Sequence, residues 1–277
     1  MVGPKVCVLA ASAASTGEAL GGRVLVSAPD DVAELVRRAP AQAEHVVLLA
    51  EQRHEREALR QAAALTDVGH HVAVRTLPHG PAALTLIALE ASTVASDPGL
   101  VPGYVEALGA HTYSGAWLPG VTGLADPSPS LWQHVRSWVP GGKGYVVTLA
   151  GSDRAAVEAV ARIALSEPSG TRPFARAELL VDRHGVPDAA RDALLRVSGA
   201  LSVGVLPPFD FTPDERFGTP RAVEAVALPQ APRRLLPTPA EAAERCGVCG
   251  VLLVGPYCPY CHVRPIRPTE LATGGAL

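Results

Sequence analysis

Short apolar runs alternate with helix-length amphipathic stretches along most of the chain, and this alternation limits the fold more than any other feature. A helix between two strands spans the sheet and returns the chain parallel to its start, so repeated alternation predicts a parallel sheet with helices on its faces. Residues 5–10, 23–27, 45–50 and 71–77 have strand character. Between them, Pro29-Asp30-Asp31 carries helix-start chemistry, and Val32, Leu35, Val36 and Ala39 follow at helical spacing. Residues 53–67 place Ala58, Ala62 and Leu65 on one face and charges on the other, and Gly69 ends the helix. Residues 81–95 read as a more buried helix. The fold class expected is α/β, a mainly parallel sheet covered by helices in three layers.

The middle of the chain is less regular. Residues 97–103 form a Pro/Gly break, 113–118 a strand, 122–129 a loop, and 131–139 a short helix carrying Trp132 and Trp138. Residues 140–144 are a turn that includes Lys143. Beyond it, residues 145–149 are a strand, and Gly151-Ser152-Asp153 opens an expected helix with Val157, Val160, Ala161 and Ala164 as its stripe. Residues 178–181 are a strand, Pro187 suits a first helical turn, and 201–206 are the last clear strand. Residues 209–219 read as an irregular loop.

Residues 229–239 hold five prolines, the composition of a semi-rigid spacer. The expected organisation is an α/β domain at 1–228, a Pro-rich linker at 229–240, a metal-binding ribbon at 241–264 and a disordered tail at 265–277.

Four of the five cysteines form two C-x-x-C pairs, Cys246/Cys249 and Cys258/Cys261. Each pair aims two thiolates at one point, and Gly247 and Gly250 permit a tight backbone at the first. Two such pairs complete the tetrahedral sulfur set that Zn²⁺ prefers. The segment resembles zinc ribbons in general, and His262 adjoins the set without being needed. A closed Cys₄ site leaves no position for substrate, so the metal's expected role is structural.

The net charge of −3 gives no general field for nucleic acid, and the sequence has no polybasic patch for a membrane. The apolar run after Lys5 is too short for a signal peptide, and no stretch reaches the ~18 apolar residues of a membrane span. Paired cysteines outside a dense disulfide framework fit a reducing cytoplasm.

The order of elements over residues 144–226, ending in Gly204-Val205-Leu206-Pro207 and Gly218-Thr219-Pro220, resembles the C-terminal half of MinD/ParA-like P-loop ATPases. That resemblance implies a phosphate loop after the first strand. Residues 12–19 match its spacing, but Glu18 stands where the family has Lys, and Ala19 lacks the metal-binding hydroxyl. The implied protein is a pseudo-ATPase that acts non-catalytically through a protein partner at its ribbon. A second reading is a nucleotide-binding protein or enzyme using strand-end loops, with Ser12, Gly17, Ser152, Asp153 and Asp210 as candidates. The third is a nucleic-acid-binding accessory factor that uses the ribbon.

Overall fold

A computed structural model describes residues 5–9, 17–19, 24–28, 45–94, 97–139, 141–165, 175–182, 186–209, 211–237 and 244–264. The expected helix over 30–39, the tail, Ser12 and Asp210 lie outside them.

The first sheet contains β1 (Lys5–Leu9), β2 (Gly17–Ala19), β3 (Val24–Ser27), β4 (His45–Glu51) and β5 (His71–Leu77), in the order β2-β3-β1-β4-β5. β1 runs parallel to β3 and β4, and β4 runs parallel to β5. Both faces of this sheet are covered, which is why its strands are continuous apolar runs. Cys7, Leu9, Val46 and Leu48 face helix α1 (Glu55–Asp67) through Ala58 and Leu65. Val6, Val8, Val47 and Leu49 face α2 (Pro81–Val94) and α3 (Val101–His111).

The region read as a Pro/Gly break, 97–103, holds the start of α3. Pro98 starts a 3-10 turn and Pro102 sits in the first turn of α3. These prolines begin helical structure, since an N-terminal position needs no amide donor.

A second sheet contains β6 (Tyr113–Leu118), β7 (Tyr145–Ala150), β8 (Val157–Ala159), β9 (Arg176–Val181), β10 (Ala200–Val205) and β11 (Val223–Ala227). Its order is β10-β9-β11-β6-β7-β8. Only β9 and β10 pair in parallel; the other neighbours are antiparallel. The helix α4 (Leu131–Ser137) lies between β6 and β7 in sequence. The helix expected from residue 151 is instead β8 followed by the single turn α5 (Val160–Ile163). Helix α6 (Asp188–Ser198) covers the far face through Ala190, Ala193, Leu194 and Val197. The loop read at 209–219 contains the short α7 (Pro213–Phe217), and β11 was missed although every residue in it is buried.

Helix α2 joins the two sheets. Leu84, Ile87, Ala88 and Ala91 pack toward the first sheet, while Ala82, Ala83 and Leu86 pack with Leu206 and Val226 of the second. A helix that is apolar all round is one with neighbours on every side. The layers run α1, first sheet, α2 with α3, second sheet, α6.

Candidate functional site

Two constellations lie at opposite ends of the first sheet. At the N-terminal ends of β4 and β5, the ribbon strands β12 (Glu244–Arg245) and β13 (Leu252–Leu253) pair antiparallel. Two knuckles of matching construction present the cysteines. The carbonyl of Cys246 accepts from Gly250 N–H at 2.9 Å, and that of Cys258 accepts from His262 N–H at 2.9 Å. Cys246 N–H donates to Val251 O and Cys258 N–H to Val263 O. Gly250 and His262 both have left-handed backbones, at φ 75° and 58°. His262 therefore occupies the turn position that glycine fills in the first knuckle.

The four Sγ atoms lie within 4.8 Å of one another, and those of Cys249 and Cys258 are 3.6 Å apart. Sulfurs about 2.3 Å from a central ion form a tetrahedron with edges of about 3.8 Å, so these cysteines can hold a metal ion. Burial raises the Cys246 thiol, but N–H groups of Cys249 and Val248 and the neighbouring thiols outweigh it and bring it down to about 7. Burial drives Cys249 up, and carries Cys261 up to about 11. Four thiols this close cannot all ionise without a cation among them.

The ribbon is seated on the body. Cys246, Val251, Leu253, Cys258 and Tyr260 share one buried cluster with Val6, Val8 and Val47. Leu252 N–H donates to Asp97 Oδ1 at 3.1 Å, and Tyr260 Oη donates to Pro98 O at 2.9 Å. Gly99 passes so close beneath the Leu252 carbonyl that a Cβ would overlap it. His45 meets the Tyr260 ring edge-on at 5.0 Å and stacks on His71, whose Nδ1 is 3.9 Å from Cys261 Sγ.

At the opposite, C-terminal ends of β4 and β5, a cleft of about 230 Å³ opens between the two sheets. Its walls include Glu51, Arg53, His79, Thr148, Leu149 and Arg216. Ligands of open α/β sheets bind at these strand ends. Arg53 meets Glu51 through two contacts of 3.0 and 3.2 Å. Arg216 Nε lies 2.9 Å from Glu51 Oε2, an ion pair without hydrogen-bond alignment, and both side chains are buried. Arg216 also donates to the Asp126 carbonyl at 2.6 Å; the Asp126 carboxylate is 3.7 Å away and 70% exposed. Burial lowers the Arg216 pKa, partly offset by Glu51.

Glu224 lies behind the cleft, buried, and accepts from Ala82 N–H at 3.1 Å in the first turn of α2. Burial, with Glu51 adding to it, pushes its carboxyl up to about 8. Burial also brings His79 down to about 4. Near neutral pH both are uncharged, and the cleft wall itself carries two arginines, the buried Arg216 and the more exposed Arg53, beside the buried Glu51 and the exposed Asp126.

The sequence candidates are placed elsewhere. Gly17 lies in β2, an edge strand antiparallel to β3, so residues 17–19 are not a loop leading into a helix. Ser152 donates to Val197 O at 3.2 Å, against the end of α6, and Asp153 is exposed. Neither lines the cleft. Sequence reading missed Glu51, Arg53, Arg216 and Glu224. The signal available for two of them was a carboxylate within an apolar run, Glu51 at the end of β4 and Glu224 inside β11.

No protein-family model matches the sequence, and no curated protein matches it. Solved structures do match the fold. A DegV family protein from Eubacterium eligens loaded with heptadecanoic acid superposes with a TM-score of 0.54 at 11% identity, over 82% of this chain and 100% of that one. A DegV family protein from Thermus thermophilus, described for its fatty acid binding, gives 0.53 at 14% identity, over 82% and 99%. One from Corynebacterium glutamicum gives 0.54 at 15% identity, over 83% and 98%. The fold is thus that of DegV proteins and not of MinD/ParA ATPases. This corrects the pseudo-ATPase reading, and with it the strand-end nucleotide site and the nucleic-acid accessory role. The MinD/ParA likeness rested on the order of elements after residue 144, and that segment folds as a largely antiparallel second sheet.

Proposed function

We propose that the chain binds a long-chain carboxylic acid between its two sheets, with the carboxylate facing Arg53 and Arg216. The observation that carries this reading is the convergence of two guanidinium groups, Arg53 and Arg216, on Glu51 at the cleft wall, with the buried Arg216 Nε left without a hydrogen-bond partner. A buried N–H without an acceptor is costly, and a ligand carboxylate oxygen relieves that cost. The DegV fold, in relatives that hold fatty acids, supports the same reading.

The cleft is smaller than the ~300–1,000 Å³ of typical ligand sites, so it receives the head of the ligand. The tail extends into the apolar layer between α2 and the second sheet. That layer begins where Leu149 of the cleft wall abuts Gly80, and it includes Leu86, Leu206, Phe209 and Phe211. The amide donors at the start of α2 already serve Glu224, which leaves the arginines to receive the carboxylate.

The ion of the ribbon is Zn²⁺ in this reading, held by Cys246, Cys249, Cys258 and Cys261. It closes the ribbon against the strand ends away from the cleft and takes no part in ligand chemistry. Its thiolate set suits a reducing, cytoplasmic setting.

Solvent extraction of the purified protein should release about one acyl chain per molecule. The delipidated protein should bind heptadecanoic acid, and Arg53→Gln should weaken that binding roughly tenfold or more. The methyl ester, which has no charge to place, should bind the variant and the parent alike. Absence of extractable acyl chains together with no binding of the free acid would overturn the reading.

A further inference from the structure

Helix α4 is built inside out. In a helix lying on a soluble protein, the apolar stripe faces the core and the polar side faces water. Here Leu131, Val135 and Trp138 fall at i, i+4 and i+7, with Trp132 and Val139 beside them, and this stripe points outward. Leu131, Trp132 and Trp138 are 80%, 75% and 77% exposed. The side turned inward is polar. Gln133 Nε2 donates to Val157 O at 2.8 Å, Ser137 Oγ accepts from Val121 N–H at 3.1 Å, and Tyr145 Oη donates to Gln133 O at 3.1 Å. Ser130 and Gln133 form a capping box that secures the first turn. The helix is therefore held firmly in place while it presents its apolar side to the outside.

Cations rim this stripe. Trp132, Arg136 and Arg162 share one groove of about 730 Å³, and Arg136, Val139 and Lys143 share a second of about 610 Å³. The first groove also holds Arg154 and one acid, Glu158, which lies 3.8 Å from Arg154 and 3.7 Å from Arg162. Residues 131–143 contain no Asp or Glu.

We infer that α4, with Trp138, Val139 and Lys143 beyond it, is a docking element for an anionic lipid bilayer surface. Tryptophan side chains settle at the headgroup level, and an amphipathic helix with basic flanks lies in that plane. Each exposed Lys or Arg adds attraction to anionic headgroups. A stable protein interface takes about 20–30 residues a side, far more than this short stripe provides. The sequence shows no polybasic run because the tertiary structure assembles the basic rim from Arg136, Lys143 and Arg162. Among the described residues no helix is long and apolar enough to cross a membrane, so the contact is peripheral. This inference stands apart from the acyl-binding reading, since neither α4 nor its grooves line the cleft.

The test is sedimentation of the full chain with vesicles of phosphatidylcholine alone or mixed 7:3 with phosphatidylglycerol, alongside tryptophan emission. Binding to the anionic vesicles, with a blue shift and with loss at high salt, is the expected result. Trp132→Ser with Trp138→Ser should cut partitioning at least about tenfold, and Arg136→Glu with Lys143→Glu should do the same. These side chains are exposed, so the melting temperatures should stay at the parent value and show that the variants fold. No binding to anionic vesicles would overturn the inference. So would equal binding by the variants, or a concentration-dependent dimer that the tryptophan variant abolishes.

Discussion

Glu224 concentrates the residue-scale energetics of the cleft. Its ordinary pKa of 4.5 rises to about 8 in the folded chain, with burial as the largest cause. Between those values the folded protein holds a proton that the unfolded chain has lost. Stability therefore falls as pH rises through that window and levels off above about 8. His79 acts in the opposite direction at lower pH. Its folded value of about 4 lies below the ordinary 6.5, so stability falls as pH drops from 6.5 toward 4. From pH 6.5 to 8 Glu224 acts without that opposition. Glu224→Gln mimics the protonated acid and keeps an acceptor for Ala82 N–H. The variant should gain stability over the parent across pH 6.5–8, on the order of a few kcal/mol at the upper end. Thermal melts at several pH values check this, and parallel curves for the two proteins would count against it. None of this was legible in the sequence, where Glu224 looks like one polar residue among alanines and valines.

At the scale of elements, the ribbon shows how a local motif acquires a tertiary role. Its knuckles are written into the sequence, because C-x-x-C spacing with a left-handed residue after each pair closes the same turn twice. What it docks against is not written there. Tyr260, Val251 and Leu253 cover the apolar ends of β1 and β4, and Asp97 and Pro98 take its polar groups. So short a segment cannot bury a core of its own, and an ion held by its four cysteines would supply folding energy. Chelation, or Cys258→Ser, should release the ribbon and raise hydrogen exchange at residues 97–100 as well as 246–260. Unchanged protection at 97–100 would mean that the metal does not hold the ribbon in its seat. Helix α4 gives a second lesson at this scale: the spacing of its apolar residues predicts a helix, while the side facing the protein is set by Gln133 and Ser137 finding partners.

At the scale of the molecule, two sheets share α2, and the cleft exists only because they meet. Truncation after Leu228 removes the ribbon along with Leu235 and Leu236, which also pack on the central cluster. The shortened chain should lose several degrees of melting temperature and bind a hydrophobic dye, while the second sheet keeps its own core around Leu179, Leu194 and Ala225. A truncated chain that melts like the full one would show the body to be independent of its ribbon.

The sequence by itself determined the α/β class, most strands and helices of the described residues, and the four sulfur donors. These follow from periodicity and short spacing, which are properties of neighbouring residues. Tertiary structure alone decided that the chain forms two sheets, that β11 lies inside the second, and that Glu51, Arg53 and Arg216 meet. Strand direction and order depend on which distant segments bury each other's apolar faces. The sequence records how apolar each segment is, but not which other segment will cover it.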